Sequence, residues 1–323
     1  MSESLYTLQG RILLIEMAVV NLAKDGLRVQ HVVMVEPSRN IAKGHTTVDL
    51  GSPDYDLAVE QHRAYAQALR DAGVKVDVYP ATAHPDSHFV EDIASVFRSS
   101  SGELVAVVAK PATAQRSPEV DYIVGILRRI GMSIIHLHDQ TGSTLEFGDV
   151  VRFGGNVLVG QSRRTNEKGY EELKAILNYL NPGYDVGSMR VNGGLHADTC
   201  ISPINANTLL RDPAMNLQQD FTHHTVSLPR SEGYAASVLV VNESTVIMPV
   251  TTNSSLNGYA STFNILSQNY SQVVTVQMSE FQKMDGSLRC LKLAVVWDDG
   301  PGLSSSTGVK VTQHIKAAAG KSY

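Results

Sequence analysis

The sequence predicts an α/β fold made by radial repetition of one supersecondary unit, in the order strand, strand, helix, strand. Three observations lead there: helical segments that share one grammar, a short β-like run directly after each of them, and strand pairs in between at intervals of several tens of residues.

Taken in chain order, the first feature is the apolar run ILLIEMAVVNLA, Ile12 to Ala23, broken by Glu16. It falls short of the roughly 20 apolar residues of a spanning helix. The internal carboxylate, with no small-x-small cleavage site after it, also argues against a signal peptide. The run is expected to form an added helix or strand in an N-terminal extension, residues 1–30.

In GSPDYDLAVEQHRAYAQALRDAG, Ser52 is the expected cap and Pro53 suits the first turn. Ala58, His62, Tyr65 and Leu69 share a face, and Gly73 ends the helix. RSPEVDYIVGILRRIG repeats the pattern, with Ser117 as cap, Pro118 after it, Val120, Ile123, Val124, Leu127 and Ile130 on one face, and Gly131 as the stop. A third helix is read in NEKGYEELKAILNYLN from Leu173, Ile176, Leu177 and Leu180. The runs VKVDVYP, MSIIHLH and DVGSMRV follow these helices as strands. Two strand pairs are plain: DVVRFGGNVLVG, turning at Gly154-Gly155-Asn156, and ASVLVVNESTVIMPV, turning at Asn242-Glu243-Ser244. No linker separates the units, so residues 31–299 are expected to be one catalytic domain, followed by a Gly/Ser-rich tail at 300–323.

Composition narrows the function. Of 323 residues, 43% are hydrophobic and 18% charged, with a formal net charge of −5, which provides no electrostatic footprint for nucleic acid or an anionic membrane. Two cysteines without a spacing pattern, Cys200 and Cys290, read as thiols in a reducing compartment. The cytoplasm is the expected location.

Several short stretches carry chemistry. HPDSHFVEDIASVF concentrates Asp86, Glu91 and Asp92 on the approach to a strand; such carboxylates are costly to bury unless a cation meets them. GSTLEFGDVVRFGGNVLVGQSRRTNEKG places Glu146 and Asp149 before a hairpin and Arg163-Arg164 after it, and an arginine fixed at a strand end is a good bidentate holder of a carboxylate. NGGLHADTC sets His196 in a glycine-flanked loop, two residues before Asp198. In QKMDGSLRCLKL, Asp285-Gly286 makes a turn and delivers Cys290 to the start of an apolar strand. Read singly, each stretch has a plainer account: a solvated loop edge, surface arginines, a structural histidine, an inert buried thiol. His136 and His138 alternate on one strand face, but no third ligand stands out by spacing, and no metal is expected.

Together the stretches are more specific. GHTTVDLGSPDYDLAVEQHRAYAQALRDAGVKV, PDSHFVED, KPATAQRSPEV, LEFGD, GQSRRTNEKG, LHADT and SEFQKMDGSLRCL resemble, in order, the dimethylarginine dimethylaminohydrolases, and the likeness runs from about His31 to Leu293. The resemblance implies the pentein fold of the guanidine-modifying superfamily, a five-bladed α/β-propeller of ββαβ units. It further implies hydrolysis of Nω-methylated arginine to citrulline and methylamines through a covalent cysteine adduct. It places the nucleophile on Cys290, the general acid/base on His196 and its orienting carboxylate on Glu146. Glu91 and Asp92 then fall on the guanidinium, Asp86 on the substrate amino group, and Arg116 and Arg164 on its carboxylate. No cofactor is implied. The expected partner is a small guanidino amino acid, with no nucleic acid and no membrane, and a homodimer is left open.

Three features depart from the family pattern. His45 stands where the lid over the substrate is usually apolar. Asp198 makes a His-x-Asp arrangement like that of the arginine deiminases, where the aspartate grips an unmethylated guanidinium. Terminal extensions flank the likeness on both sides. Free arginine is therefore the rival substrate, and a non-catalytic arginine-binding protein is the second alternative.

Overall fold

A computed structural model describes residues 28–137, 142–153, 155–214, 216–218, 224–251 and 258–298. The apolar run at 12–23, the tail at 300–323 and His138 lie outside the described residues.

The described strands form five small sheets. In the second sheet, β3 (Ala94–Arg98) and β4 (Leu104–Val108) pair antiparallel, α2 (Ser117–Arg129) crosses over, and β5 (Ser133–His136) returns parallel to β4. The third repeats this with β6 (Val150–Phe153), β7 (Asn156–Gln161), α3 (Glu167–Leu180) and β8 (Asp185–Asn192). The fifth does so with β13 (Leu239–Val240), β14 (Thr245–Val250), α4 (Ala260–Ser267) and β15 (Gln272–Gln277).

The first sheet is assembled from both ends of the described chain. β1 (Arg28–Val35), α1 (Tyr55–Asp71) and β2 (Lys75–Tyr79) supply three parts, and β16 (Leu293–Asp298), which follows the short α5 (Ser279–Gln282), pairs antiparallel with β1. This last-onto-first pairing closes the ring, as the α/β-propeller reading requires. β1 begins at Arg28, inside the stretch read as an extension.

The fourth sheet departs from the repeat. β9 (Ile201–Asn205) and β10 (Thr208–Arg211) pair as expected, and β12 (His224–Ser227) runs parallel to β10. Among the described residues, the crossover carries no helix; it contributes β11 (Asn216–Gln218), which extends the third sheet beside β8.

Local chemistry explains the helices, with two adjustments to the expected caps. The cap of α1 is Asp54, whose carboxylate accepts from the Leu57 N–H at 3.0 Å, and Ser52 lies outside the helix. α2 starts at Ser117 itself, with no side-chain cap; a 3-10 turn, Ala114–Arg116, leads into it, and Pro118 is tolerated in the first turn. Asn166 caps α3 through the Gly169 N–H. Most residues of the faces read from the sequence are buried: Ala58, His62, Tyr65 and Leu69 in α1, Ile123, Val124 and Leu127 in α2, and Leu173, Leu177 and Leu180 in α3, while Val120, Ile130 and Ile176 are half-buried. Each fully buried Leu contributes about 1.5–3 kcal/mol.

The repeat positions the site. The first strand of a sheet is preceded by a short turn: Val90–Asp92 before β3, Phe147–Asp149 before β6, Ala197–Thr199 before β9, and the turn holding Cys290 before β16. Closing the ring brings these equivalent turns together, and the Phe147–Asp149 turn contacts both Val90–Asp92 and Ala197–Thr199. Residues far apart in sequence thereby become neighbours around one axis.

Candidate active site

Cys290 is buried in a turn, three residues short of β16, and so is not in the strand itself. The chain reaches it through a tight reversal in which Asp285, not Gly286, takes the left-handed conformation (φ 57°). Gly286 is needed for space instead: a Cβ there would lie 2.2 Å from Cε1 of Phe89. That contact seats the Cys290 turn on the carboxylate-bearing turn, and the Glu91 N–H donates to the Cys290 carbonyl at 3.2 Å.

The thiol faces Asp198, with Sγ 3.7 Å from Oδ2. Burial pushes the thiol well above its usual range, and the carboxylates of Asp198, Asp92 and Glu91 push it the same way. Asp198 is pushed up to about 7 by burial, against the pull of Arg289.

His196 is buried with Nε2 2.9 Å from Glu146 Oε2 and Nδ1 3.6 Å from Asp92 Oδ1. Burial opposes its charge, but Asp92, the Glu146 hydrogen bond and Asp149 win, raising it to about 10. Glu146 responds in the opposite sense: burial would raise it, yet His196, Arg116 and Arg164 hold it at about 2. The pair is thus an imidazolium and a carboxylate at neutral pH. Gly148 permits this approach, because a Cβ there would lie 2.6 Å from Asp92 Oδ1 and 2.8 Å from the His196 ring.

Asp149 carries a role the sequence did not suggest. Its Oδ1 accepts the Ala197 N–H at 3.1 Å and its Oδ2 the Ser162 hydroxyl at 2.6 Å, so it fixes the backbone beside His196.

Arg116, expected on the substrate carboxylate, contacts protein carboxylates and carbonyls in this structure. Its guanidinium is only 3% exposed and turns inward, with Nη1 on Asp92 and Glu146, Nε on Glu119, and Nη2 toward the carbonyls of Asp86 and Phe89. With its nitrogens committed to these partners, it serves as the counter-cation of the acidic cluster. Asp92, Glu146 and His196 offer ligand atoms within 4.8 Å of one another, a grouping able to hold a metal ion; here the Arg116 guanidinium already bridges the two carboxylates.

Arg164 lies at the rim of this cluster, with Nη1 3.6 Å from Glu146 Oε1 and 3.5 Å from the Thr113 hydroxyl. Asp86 is buried and accepts the His45 N–H at 3.2 Å. The neighbouring Thr46 and Thr47 both hydrogen-bond Asp285, so the segment bearing His45 is tied to the turn leading to Cys290. Lys292 also enters the site, with Nζ 2.8 Å from Glu91 Oε1. Its signal in the sequence was two cations, Arg289 and Lys292, flanking a cysteine in an otherwise apolar stretch.

The fold and this cysteine, histidine and carboxylate cluster define a guanidine-modifying hydrolase class. Comparison with known proteins narrows it. Residues 53–208 match the family described as N,N dimethylarginine dimethylhydrolase, eukaryotic. The N(G),N(G)-dimethylarginine dimethylaminohydrolase of Pseudomonas aeruginosa is 31% identical over 82% of this chain and 98% of its own. The enzyme of that name from Streptomyces coelicolor is 30% identical over 80% of this chain and 93% of its own. A solved Pseudomonas aeruginosa structure, a cysteine-to-serine mutant complexed with citrulline, superimposes with a TM-score of 0.71, 30% identity, and coverage of 83% of this chain and 99% of that one. The chain belongs to the dimethylarginine dimethylaminohydrolase family.

Proposed function

We propose that the protein hydrolyses Nω-methylated arginine, asymmetric dimethylarginine and monomethylarginine, to citrulline and methylamines. One observation carries this reading. Glu91 Oε2, Asp92 Oδ1 and Asp198 Oδ1 are buried, have no hydrogen-bond partner, and belong to the three carboxylates whose charge acts on Cys290. Buried carboxylate oxygens without donors are costly, and a guanidinium supplies both the charge and the N–H groups.

The chemistry follows from the same electrostatics. In the free enzyme burial, reinforced by the carboxylates, keeps Cys290 as a thiol. A bound guanidinium reverses the local field and favours the thiolate: the thiol passes its proton to Asp198 Oδ2, 3.7 Å away, takes it back when the C–S bond later breaks, and as thiolate attacks the guanidino carbon. A C–S bond forms, and His196, protonated to about pH 10, gives its proton to the nitrogen that leaves as dimethylamine. The neutral imidazole then takes a proton from water as that water attacks the thiouronium carbon. Collapse breaks the C–S bond and releases citrulline, while Glu146 holds the ring throughout. Arg164, at the rim, is the candidate for the substrate carboxylate, Asp86 for its amino group, and His45 closes over it on the Thr46–Asp285 tether.

Asp198 favours a second reading, free arginine releasing ammonia, because it adds an acceptor beside the sulfur. Citrulline release measured side by side with dimethylarginine, monomethylarginine and arginine decides. The first reading expects the dimethylated substrate to have the highest kcat/KM; arginine turned over at least as well overturns it.

A further inference from the structure

Lys292 has no counterpart in the guanidinium chemistry above, yet it lies within it. Its side chain is 5% exposed, that of Glu91 13%, and the ammonium sits 2.8 Å from Glu91 Oε1. Fold stability is a poor reason for such a pair, since buried ion pairs are commonly replaceable by apolar residues without loss. Burial also pushes Lys292 down from its usual range, so the charge is held against a cost.

The placement gains meaning beside its neighbours. Arg116 takes Asp92 Oδ2 and leaves Oδ1, with His196 Nδ1 3.6 Å from it and beyond hydrogen-bond reach; the Cys290 thiol takes Asp198 Oδ2 and leaves Oδ1; Lys292 takes Glu91 Oε1 and leaves Oε2. Each carboxylate is half-occupied from within. Three single oxygens remain, one per carboxylate. An asymmetrically dimethylated guanidinium has three N–H groups, a monomethylated one four, and free arginine five. Every surplus donor lacks a carboxylate oxygen, and every surplus oxygen would lack a donor.

We propose that Lys292 is a specificity-determining residue, which by holding Glu91 Oε1 limits the acceptors offered to a guanidinium and so selects the dimethylated substrate over those with more N–H groups. Lys292 acts through Glu91 and does not itself touch the reacting carbon. The inference rests on the hydrolase reading above.

The test is kcat/KM for arginine and for dimethylarginine, measured with wild type, Lys292→Met and Lys292→Gln. In Lys292→Met the freed Oε1 meets an extra N–H only when arginine is bound, so the arginine-to-dimethylarginine ratio rises about tenfold. Lys292→Gln keeps an amide donor on Oε1 and stays within about twofold of wild type. A Met variant that loses both activities in parallel, ratio unchanged, overturns the proposal and leaves Lys292 a packing residue. A tenfold shift in the Gln variant also overturns it, because charge and not occupancy would then be the cause. Wild type that releases citrulline from neither substrate removes the hydrolase reading, and with it this one.

Discussion

The two cysteines of this chain are both free and both buried, and they behave differently. Cys200 sits in the apolar cluster formed with Val151, Leu158 and Ile201, and burial pushes its thiol up to about 12. Its one described hydrogen-bonding neighbour is the Thr199 hydroxyl. Burial also raises Cys290, and carboxylates raise both thiols, but only at Cys290 does a carboxylate stand against the sulfur, Asp198 Oδ2 at 3.7 Å. The difference is what stands beside the sulfur: an apolar cluster and a hydroxyl leave Cys200 inert, whereas carboxylates with unpartnered oxygens make Cys290 a thiol that a bound cation can switch.

The largest expected effect breaks that contrast directly. Cys290→Ser is expected to lower citrulline release by at least about 10³-fold, and Cys200→Ser to leave it within about twofold, in steady-state assays. Equal losses would mean that the two environments do not divide the chemistry as described.

The next effect sharpens the electrostatic half. Glu146→Gln removes a charge and an acceptor from His196, so turnover falls about 10²-fold and the alkaline limb of its pH profile moves to lower pH. The sign for stability follows from the same pair. His196 is raised from 6.5 to about 10, so its contribution is complete below pH 6.5 and is lost as pH climbs through 10. Glu146 is lowered from 4.5 to about 2, so its contribution is complete above pH 4.5 and is lost as pH falls through 2. Thermal melts across pH are expected to show both slopes in wild type; in Glu146→Gln the acid slope of this carboxylate is lost, and the alkaline one is weaker and moves to lower pH because Asp92 and Asp149 still act on His196.

A smaller effect concerns Asp198, which lies beside Cys290 and also acts on Cys200. Asp198→Ala is expected to lower kcat/KM about tenfold for arginine and dimethylarginine alike, because Oδ1 meets an N–H that both substrates carry. A loss confined to arginine would place Asp198 on the nitrogen that bears the methyl groups and remove Oδ1 from the three acceptors.

Much of this was legible in the sequence, and the limits have physical causes. The strand, strand, helix, strand rhythm is written in local periodicity, so α1, α2, α3 and the hairpins emerged where the pattern placed them. Cys290, His196, Glu146, Glu91 and Asp92 come from short motifs in order, and ring closure accounts for their meeting. Missing were features that depend on the closed ring. Lys292 and Glu91 are 201 positions apart, and no periodicity links them. Arg116 could have pointed toward substrate or inward, a choice made by Asp92, Glu119 and Glu146 once they are buried together. Among the described residues, the β10-to-β12 connection of the fourth unit lends a strand to the neighbouring sheet in place of the helix the repeat would carry. The cap of α1 moved to Asp54 because a carboxylate two residues on outcompeted Ser52.

The most direct test of the central claim is acid-quenched mass spectrometry of the wild-type protein during turnover of asymmetric dimethylarginine, followed by peptide mapping. A covalent adduct equal to substrate minus dimethylamine is expected on the peptide containing Cys290 and none on that containing Cys200. An adduct on Cys200, or undiminished turnover in Cys290→Ser, would contradict that claim.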